Sequence, residues 1–157
     1  MTGDAAHRLG AIDLDPASLA PANAEIEHER RVAIFDLLEQ NLFRPEGAPG
    51  GPYRLRLSVE DSRLALDIEG EGFRKAHMLS LTPLKGIMKD YFMICESYQQ
   101  AVRGASPNQI EAVDMGRRGL HNEGSTVLRE RLAGKVEIDH ETARRLFTLI
   151  CALYRRA

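Results

Sequence analysis

The sequence predicts an α+β fold, in which a small and mostly antiparallel sheet of three to five strands packs against three or four helices. Two runs alternate apolar and polar residues, at residues 53–60 and 63–69, as half-buried strands do. After residue 82, apolar residues instead recur every three or four positions, which is typical of amphipathic helices. The length of 157 residues indicates one domain. We expect that domain to span residues 8–157, and residues 1–7 to form a flexible N-terminus.

The composition excludes several classes of protein. Apolar residues make up 43% of the chain and the formal net charge is −2, so the chain as a whole is not of the disordered class. No apolar run approaches the roughly 18 residues of a membrane-spanning helix. The near-neutral charge also argues against a domain that binds nucleic acid by charge alone. Because the N-terminal segment contains no apolar run, we expect no secretory signal, a cytoplasmic location and no membrane partner.

The cysteine content fits the same compartment. The chain has two cysteines, Cys95 and Cys151, and neither belongs to a Cys-x-x-Cys pair. One disulfide between them is possible, but two reduced and buried thiols are the favoured interpretation for a cytosolic protein. Cys95 lies within an apolar stripe, which is not the positive and partly exposed setting of a catalytic thiol.

The N-terminal third is predicted to contain one strand, one helix and a loop. The strand covers residues 8–14, and the helix follows over residues 23–42 with Asn23 as its N-cap. Residues 44–52 contain three prolines and three glycines, which predicts a loop without regular structure. Acidic side chains outnumber basic ones by 9 to 4 over residues 1–52, so the first helix presents an acidic surface.

The remainder is predicted to be a strand meander followed by helices. The two alternating runs form an antiparallel hairpin, and a third strand continues it over residues 73–81. Thr82 is expected to cap a helix whose first residue is Pro83. Ser106 and Gln109 have the spacing of a capping box. The elements expected after it are a helix over residues 106–133, an extended segment over residues 135–138, and a last helix over residues 140–155 capped by Asp139.

One segment of the third predicted helix departs from ordinary patterning. Residues 114–124 contain three glycines, each of which costs a helix interior roughly 1 kcal/mol relative to alanine. Such conflicts between local propensity and fold concentrate at functional or strained sites. A polar cluster lies beside the apolar stripe of the same helix. It contains the candidate catalytic residues Asp114, His121 and Glu123 and the candidate ligand-binding residues Arg117, Arg118 and Ser125.

Two functional classes are compatible with this cluster. The first is a non-catalytic interaction or regulatory module, which binds a protein partner through the basic edge around residues 114–124 or through the acidic first helix. The second is an anion-binding domain or small enzyme, in which Arg117 holds a phosphate or carboxylate and His121 acts as acid or base beside Asp114. Nucleic-acid binding through the arginine pairs ranks below both, since the whole chain is not basic.

Structural explanations of the same segment remain open. The glycines can allow close crossing of another helix, or the helix can break near residues 116–119. Arg117 can also be a structural residue that pairs with a carboxylate from another helix. The sequence therefore leaves open whether the protein is an enzyme. No metal or cofactor is predicted, because His121 and Glu123 point to different faces of a helix and no phosphate-binding or dinucleotide-binding loop occurs.

Four longer runs of sequence carry a family resemblance. They lie at residues 29–36, 89–97, 114–124 and 142–151, and the third reads Asp-Met-Gly-Arg-Arg-Gly-Leu-His-Asn-Glu-Gly. These runs resemble a small bacterial protein family that is described as uncharacterised, and the resemblance extends over nearly the whole chain after residue 8. It implies a cytoplasmic, stand-alone bacterial protein. The family has no agreed catalytic residues, so the resemblance transfers none to this chain.

Overall fold

A computed structural model describes residues 6–156 and confirms the α+β prediction, with four α-helices and two sheets in that part of the chain. In chain order the elements are β1 (Leu9–Leu14), α1 (Ala24–Glu39), β2 (Phe43–Pro45), β3 (Tyr53–Glu60), β4 (Arg63–Gly70), β5 (Phe73–Ser80), α2 (Lys85–Gly104), α3 (Pro107–Leu132), β6 (Val136–Ile138) and α4 (His140–Tyr154). No helix of the described residues is long and apolar enough to cross a membrane.

The main sheet holds four strands in the order β1–β3–β4–β5. β3, β4 and β5 form the antiparallel meander that the alternating residues predict. Leu57 of β3 lies opposite Leu66 of β4, and both are buried, whereas the neighbouring Arg56 is exposed. One face of the sheet therefore joins the core while the other faces water.

β1 departs from the meander because it pairs with β3 in parallel, with Ile12 opposite Leu55. Parallel neighbours cannot be joined by a tight turn, so the chain needs a crossover connection between them. α1 lies within that crossover. It begins as predicted, since the Asn23 side chain accepts a hydrogen bond from the backbone N–H of Ile26 at 2.9 Å. The helix ends at Glu39, earlier than expected.

The segment predicted as a loop contains part of a strand, so that prediction is wrong at its start. β2 pairs with β6 in an antiparallel two-stranded sheet, with Phe43 opposite Ile138 and Pro45 opposite Val136. All four residues are buried. Three residues are too few to show a periodic pattern, and the pairing partner lies far along the chain, so the sequence offers no local signal for this strand.

The structure places His7, the last residue of the expected flexible segment, in a buried position. Residues 1–5 of the expected flexible segment lie outside the described residues. His7 itself is buried, and its Nδ1 lies 2.7 Å from the hydroxyl oxygen of Tyr53. Its backbone carbonyl accepts a hydrogen bond from Phe43 at 2.9 Å. His7 therefore belongs to the core that joins the two sheets.

The helices pack beside one another in the order α1–α4–α3–α2. α4 is the most deeply buried of them, with Asp139 as its N-cap as predicted. Its largest apolar side chains are at most 1% exposed, namely Leu146, Phe147, Leu149, Ile150 and Leu153. The apolar residues of α4 therefore extend around a wide arc, and neighbouring elements cover the helix on several sides.

α3 is a single helix of 26 residues from Pro107 to Leu132, so the alternative of a break near residues 116–119 is wrong. The predicted capping box is present, since the Ser106 hydroxyl accepts from the N–H of Gln109 and the Gln109 side chain accepts from the N–H of Ser106.

The preceding helix, α2, starts later than predicted. The segment Thr82–Leu84 is a short 3-10 turn without a side-chain cap, and α2 begins after it.

Candidate functional site

The predicted cluster on α3 does not assemble into one site. Arg117 donates from Nε to an Asp114 carboxylate oxygen at 3.1 Å, and Arg118 pairs with the other oxygen at 3.2 Å. The hydrogen bond from Arg117 lowers the pKa of Asp114. The Arg117 guanidinium also lies 4.8 Å from the ring centre of Tyr98 on α2. Asp114 is thus engaged by two arginines of its own helix, and the proposed Asp114–His121 pair does not form.

His121 is instead held by α4. Its Nε2 lies 2.7 Å from the Thr148 hydroxyl, and its ring packs between Tyr91 and Phe147 at centroid distances of 5.5 and 5.2 Å. Its Nδ1 is buried without a hydrogen-bond partner among the described residues. Burial first, and then the positive charge of Arg144, lower the pKa of His121 to about 4. A general acid or base works best with a pKa near the reaction pH, so this setting does not favour that role.

The other two candidates lie apart from any shared pocket. Ser125 is fully buried, and its hydroxyl donates to the backbone carbonyl of His121 at 2.7 Å, one turn earlier on α3. Glu123 is exposed and forms no ion pair with a described residue. Neither side chain is therefore placed to bind a ligand together with Arg117.

Helix packing explains two of the three glycines in this segment. A β-carbon at Gly124 would overlap the ring of Phe147 on α4, and one at Gly116 would lie 2.6 Å from the Cδ1 atom of Ile94 on α2. Gly119 faces open space. The close-crossing alternative is therefore confirmed for two positions, at which α3 approaches a helix on either side.

A large groove lies elsewhere, with α1 and α2 as its walls and α4 as its floor, and its volume is about 980 Å³. Each wall presents residues at positions i, i+1, i+4, i+5 and i+8, from His28 to Asp36 on α1 and from Tyr91 to Gln99 on α2. With a rise of 1.5 Å per residue, each of these stripes is about 12 Å long. None of Asp114, Arg117 and His121 lines the groove.

The groove is apolar inside and charged at its edges. Ala152 belongs to the floor and Phe92 to one wall. Asp36 on α1 and Glu96 on α2 are exposed and form no ion pair with any described residue. Arg155 of the floor pairs with Glu29 on α1 at 2.5 Å, which links the end of α4 to that wall.

Both cysteines line this groove, and neither is in a disulfide. Burial raises the pKa of the half-buried Cys95 thiol and of the buried Cys151 thiol. A thiol with a raised pKa is a poor nucleophile at neutral pH, because the thiolate is the reactive form. Neither thiol of the groove therefore has the setting of an activated nucleophile. Among residues 6–156, no three side chains of the metal-ligating types lie together as a metal site requires.

Exposed apolar side chains extend the groove wall outward along α1. Phe35 is 65% exposed and Val32, which lines the groove, is 43% exposed. Residues three apart on a helix are surface neighbours, so the two form one apolar ridge. Sequence reasoning missed this groove, because its walls come from helices that are distant in the chain. The one local feature that could have indicated it is the apolar pair Val32 and Phe35 on the mostly charged outer face of α1.

Comparison with known proteins confirms the resemblance that the four sequence runs carry. The family model described as Uncharacterised protein family (UPF0262) matches residues 6–156. A protein of Caulobacter vibrioides with the family's name is 61% identical over 150 residues, which are 96% of this chain and 94% of that protein. One from Rhizobium meliloti is 58% identical over an alignment of 158 positions, which covers 99% of each chain. No solved structure shows significant similarity to the chain.

Proposed function

The chain belongs to the UPF0262 family, whose name assigns no activity, and from the geometry of its groove we propose that it is a non-catalytic interaction module. In this proposal, the groove between α1 and α2 binds an amphipathic helix of a protein partner that carries basic residues on its flanks. The observation that carries the proposal is that α1 and α2 present residues at the same helical spacing along the two sides of the groove, with α4 as its floor. A protein partner is also what the sequence favours. The proposed binding surface, however, is the groove and not the segment of residues 114–124.

The size of the groove suits a short helix. A helix about 10 Å across and about 12 Å long has a volume of about 900 Å³, which is close to the groove volume of about 980 Å³. Helices that bind in such grooves insert an apolar stripe at positions i, i+3, i+4 and i+7. The stripes on α1 and α2 have the matching length for two turns of such a helix.

The charges at the groove edges favour a basic partner. Asp36 and Glu96 stand on opposite walls, and neither has a basic partner among the described residues. Lysine or arginine on the two flanks of the incoming helix would pair with them, which favours this partner over an acidic one. Arg156 lies at the end of the floor, so an acidic residue suits one end of the partner helix.

The alternative of an anion-binding or catalytic pocket around Arg117 has less support. Both arginines of that segment already bind Asp114, and His121 carries a pKa well below neutral. We also place the module in the cytoplasm, where unpaired thiols such as Cys95 stay reduced.

The binding proposal can be tested with a designed peptide. The probe is a fluorescein-labelled 15-residue helix with leucine at i, i+3, i+4 and i+7 and lysine on both flanks, followed by fluorescence anisotropy. We expect saturable binding that weakens about tenfold or more in the double variant Val32→Ser/Phe35→Ser, since Val32 lines the groove, Phe35 extends its wall, and a few large apolar contacts carry much of the affinity of an interface. Met115→Ser is the matched control, because Met115 on α3 is 61% exposed.

Charge variants test the partner class. Asp36→Asn/Glu96→Gln should weaken the lysine-flanked probe and reduce its salt dependence, whereas Glu111→Gln/Glu130→Gln on the exposed face of α3 should not. A glutamate-flanked version of the probe should not bind. Equal binding by the Val32/Phe35 variant would overturn the proposal. A dimer in analytical ultracentrifugation that Phe35→Ser dissociates would overturn it too, since a second copy would then fill the groove.

A further inference from the structure

A second cavity, of about 600 Å³, lies beside the groove at the start of α2. It is bounded by the turn between β3 and β4, the first part of α2 and the end of α4. Its inner wall includes Leu81 and Met88, which are 2% and 5% exposed, while Met93 near its edge is 59% exposed. A volume of this size is within the usual range of small-molecule sites, which are mostly apolar with a few polar groups.

Two lysines stand at this cavity in an arrangement that does not stabilise the helix. Lys85 and Lys89 are one turn apart on α2, both are exposed, and neither forms an ion pair with a described residue. Like charges at i and i+4 repel, and positive charge near a helix N-terminus opposes the helix dipole. Asp61 also lines the cavity, but it pairs with neither lysine. A bound anion would relieve both unfavourable interactions.

A residue that lines both this cavity and the groove carries a buried hydroxyl group without a partner in the described part of the chain. Tyr154 lines the cavity, and its hydroxyl oxygen is buried without a hydrogen-bond partner among the described residues. An unpaired buried hydroxyl is unfavourable, and a ligand oxygen would satisfy it. Burial raises the pKa of Tyr154, so the hydroxyl keeps its proton and can donate.

We propose that this cavity binds a free amphiphilic anion, namely an unbranched acyl chain that ends in a carboxylate. The chain lies against Leu81, Met88 and Phe92, the carboxylate pairs with the two lysines, and the Tyr154 hydroxyl donates to a carboxylate oxygen. A free molecule fits better than a membrane surface, because lipid headgroups are typically bound by clusters of four to eight basic residues. This site goes beyond the helix-binding groove and uses different charged residues, while Phe92 and Tyr154 line both cavities.

Methionine NMR gives a residue-specific test of the site. The chain has five methionines, and with labelled methyl groups we expect decanoate to shift the signals of Met88 and Met93 saturably while Met115 on α3 stays unchanged. Decanol, which has the same chain without the charge, and acetate, which has the charge without the chain, should bind at least about tenfold more weakly. The absence of a saturable shift below the concentration at which decanoate self-associates would overturn the proposal.

Variants separate the contributions of the lysines and the hydroxyl. Lys85→Gln/Lys89→Gln should weaken decanoate about tenfold, whereas Lys75→Gln, at an exposed position on β5, should not. Tyr154→Phe removes a hydroxyl without a partner, so it should keep or raise the melting temperature and still weaken decanoate. Equal affinity of the double lysine variant would overturn the proposal. Binding to phosphatidylglycerol vesicles without binding of decanoate would also overturn it, in favour of a membrane surface.

Discussion

Gly124 of α3 lies so close to the ring of Phe147 on α4 that a β-carbon at position 124 would overlap three ring atoms. Both residues are buried, and the contact sets how closely the two helices approach. Next to it, the ring of His121 packs against the same phenylalanine at a centroid distance of 5.2 Å. The unusual segment of α3 therefore contains a close packing contact with α4.

Glycine substitutions should separate packing from helix propensity. We expect Gly124→Ala to lower the free energy of unfolding by about 1–3 kcal/mol, because overpacking forces the helices apart. Gly119→Ala should raise it by about 0.5–1 kcal/mol, because that position faces open space and alanine favours a helix. Urea denaturation measures both. Stabilisation by both substitutions would show that the Phe147 ring moves aside without cost.

The change in the free energy of unfolding for Gly116→Ala should lie between those for Gly124→Ala and Gly119→Ala. The atom that its new β-carbon would meet is Cδ1 of Ile94, at 2.6 Å. This atom is the end of a flexible side chain, which can change rotamer at a cost of about 1 kcal/mol. The same urea experiment should therefore give a change near zero, since the gain in helix propensity offsets the repacking. A loss as large as that of Gly124→Ala would contradict this explanation.

Arg30 should be essential for the attachment of α1 to α4. It is 8% exposed, its Nε donates to the backbone carbonyl of Ala152 at 3.1 Å, and its Nη2 lies 3.5 Å from the carbonyl of Leu153. We expect Arg30→Met to lower the free energy of unfolding by about 1.5–3 kcal/mol, as for hydrogen bonds with a charged group. Arg31→Met is the control and should change it by less than about 0.5 kcal/mol, since Arg31 is exposed.

Lysine should not replace Arg30. The planar guanidinium reaches two carbonyls at the end of α4 through different nitrogens, whereas an ammonium group is a point charge on a more flexible stem. Arg30→Lys should therefore recover less than half of the stability lost in Arg30→Met. Full recovery in the same denaturation assay would show that the charge near the carbonyl end of α4 is sufficient.

His121 should make the stability depend on pH between about 6.5 and 4. Its ordinary pKa is 6.5, and in the fold it is about 4. Acid therefore protonates the unfolded chain first, so the stability associated with the neutral imidazole is complete above pH 6.5 and is lost as pH falls towards 4. We expect the unfolding free energy of the wild type to fall more steeply over this range than that of His121→Phe, which keeps the ring packing.

NMR titration of the His121 ring gives the direct measurement. Its protonation midpoint should lie near pH 4, well below that of a histidine in a short peptide. A midpoint above pH 6 would show that the imidazole is accessible to water and would restore the acid–base role considered from the sequence.

The two thiols should react slowly in the folded protein. Burial raises the pKa of Cys95 and of Cys151, so little thiolate is present at pH 7.5. We expect a disulfide reagent such as DTNB to modify both at least about tenfold more slowly than in the urea-unfolded chain. The variant Cys95→Ala, which retains only the buried Cys151, should be slower than Cys151→Ala. Rapid reaction of Cys95 at neutral pH would indicate an activated nucleophile.

Local sequence signals predicted the hairpin and the starts of three of the four described helices well, whereas α2 begins later than expected. Asn23, Ser106 and Asp139 cap helices as expected, because a cap depends on side-chain and backbone groups within three residues. The hairpin of β3 and β4 was readable for a similar reason, since alternation reports which side of a strand is buried. In the candidate site, the same local signals singled out residues 114–125 without showing what they contact.

Long-range contacts account for what the sequence did not show. The pairing of β2 with β6, the parallel partner of β1 and the orientation of Arg30 each depend on residues that are far apart in the chain. The local sequence around Arg30 is an acidic and basic helix face, so nothing in it marks this residue as buried. Its burial follows only from the position of the last turn of α4.

The sequence by itself determined the α+β class and the ends of most elements, because these follow from local propensity and periodic burial. It also showed that three glycines in α3 disfavour the helix that the surrounding residues predict. Only the tertiary structure showed why glycine occupies two of these positions. A β-carbon at position 116 would meet α2 and one at position 124 would meet α4, so this segment is a packing contact between helices. The groove is likewise a property of the assembled helices, since its walls α1 and α2 are distant in the chain and come to lie on either side of α4 only in the folded protein.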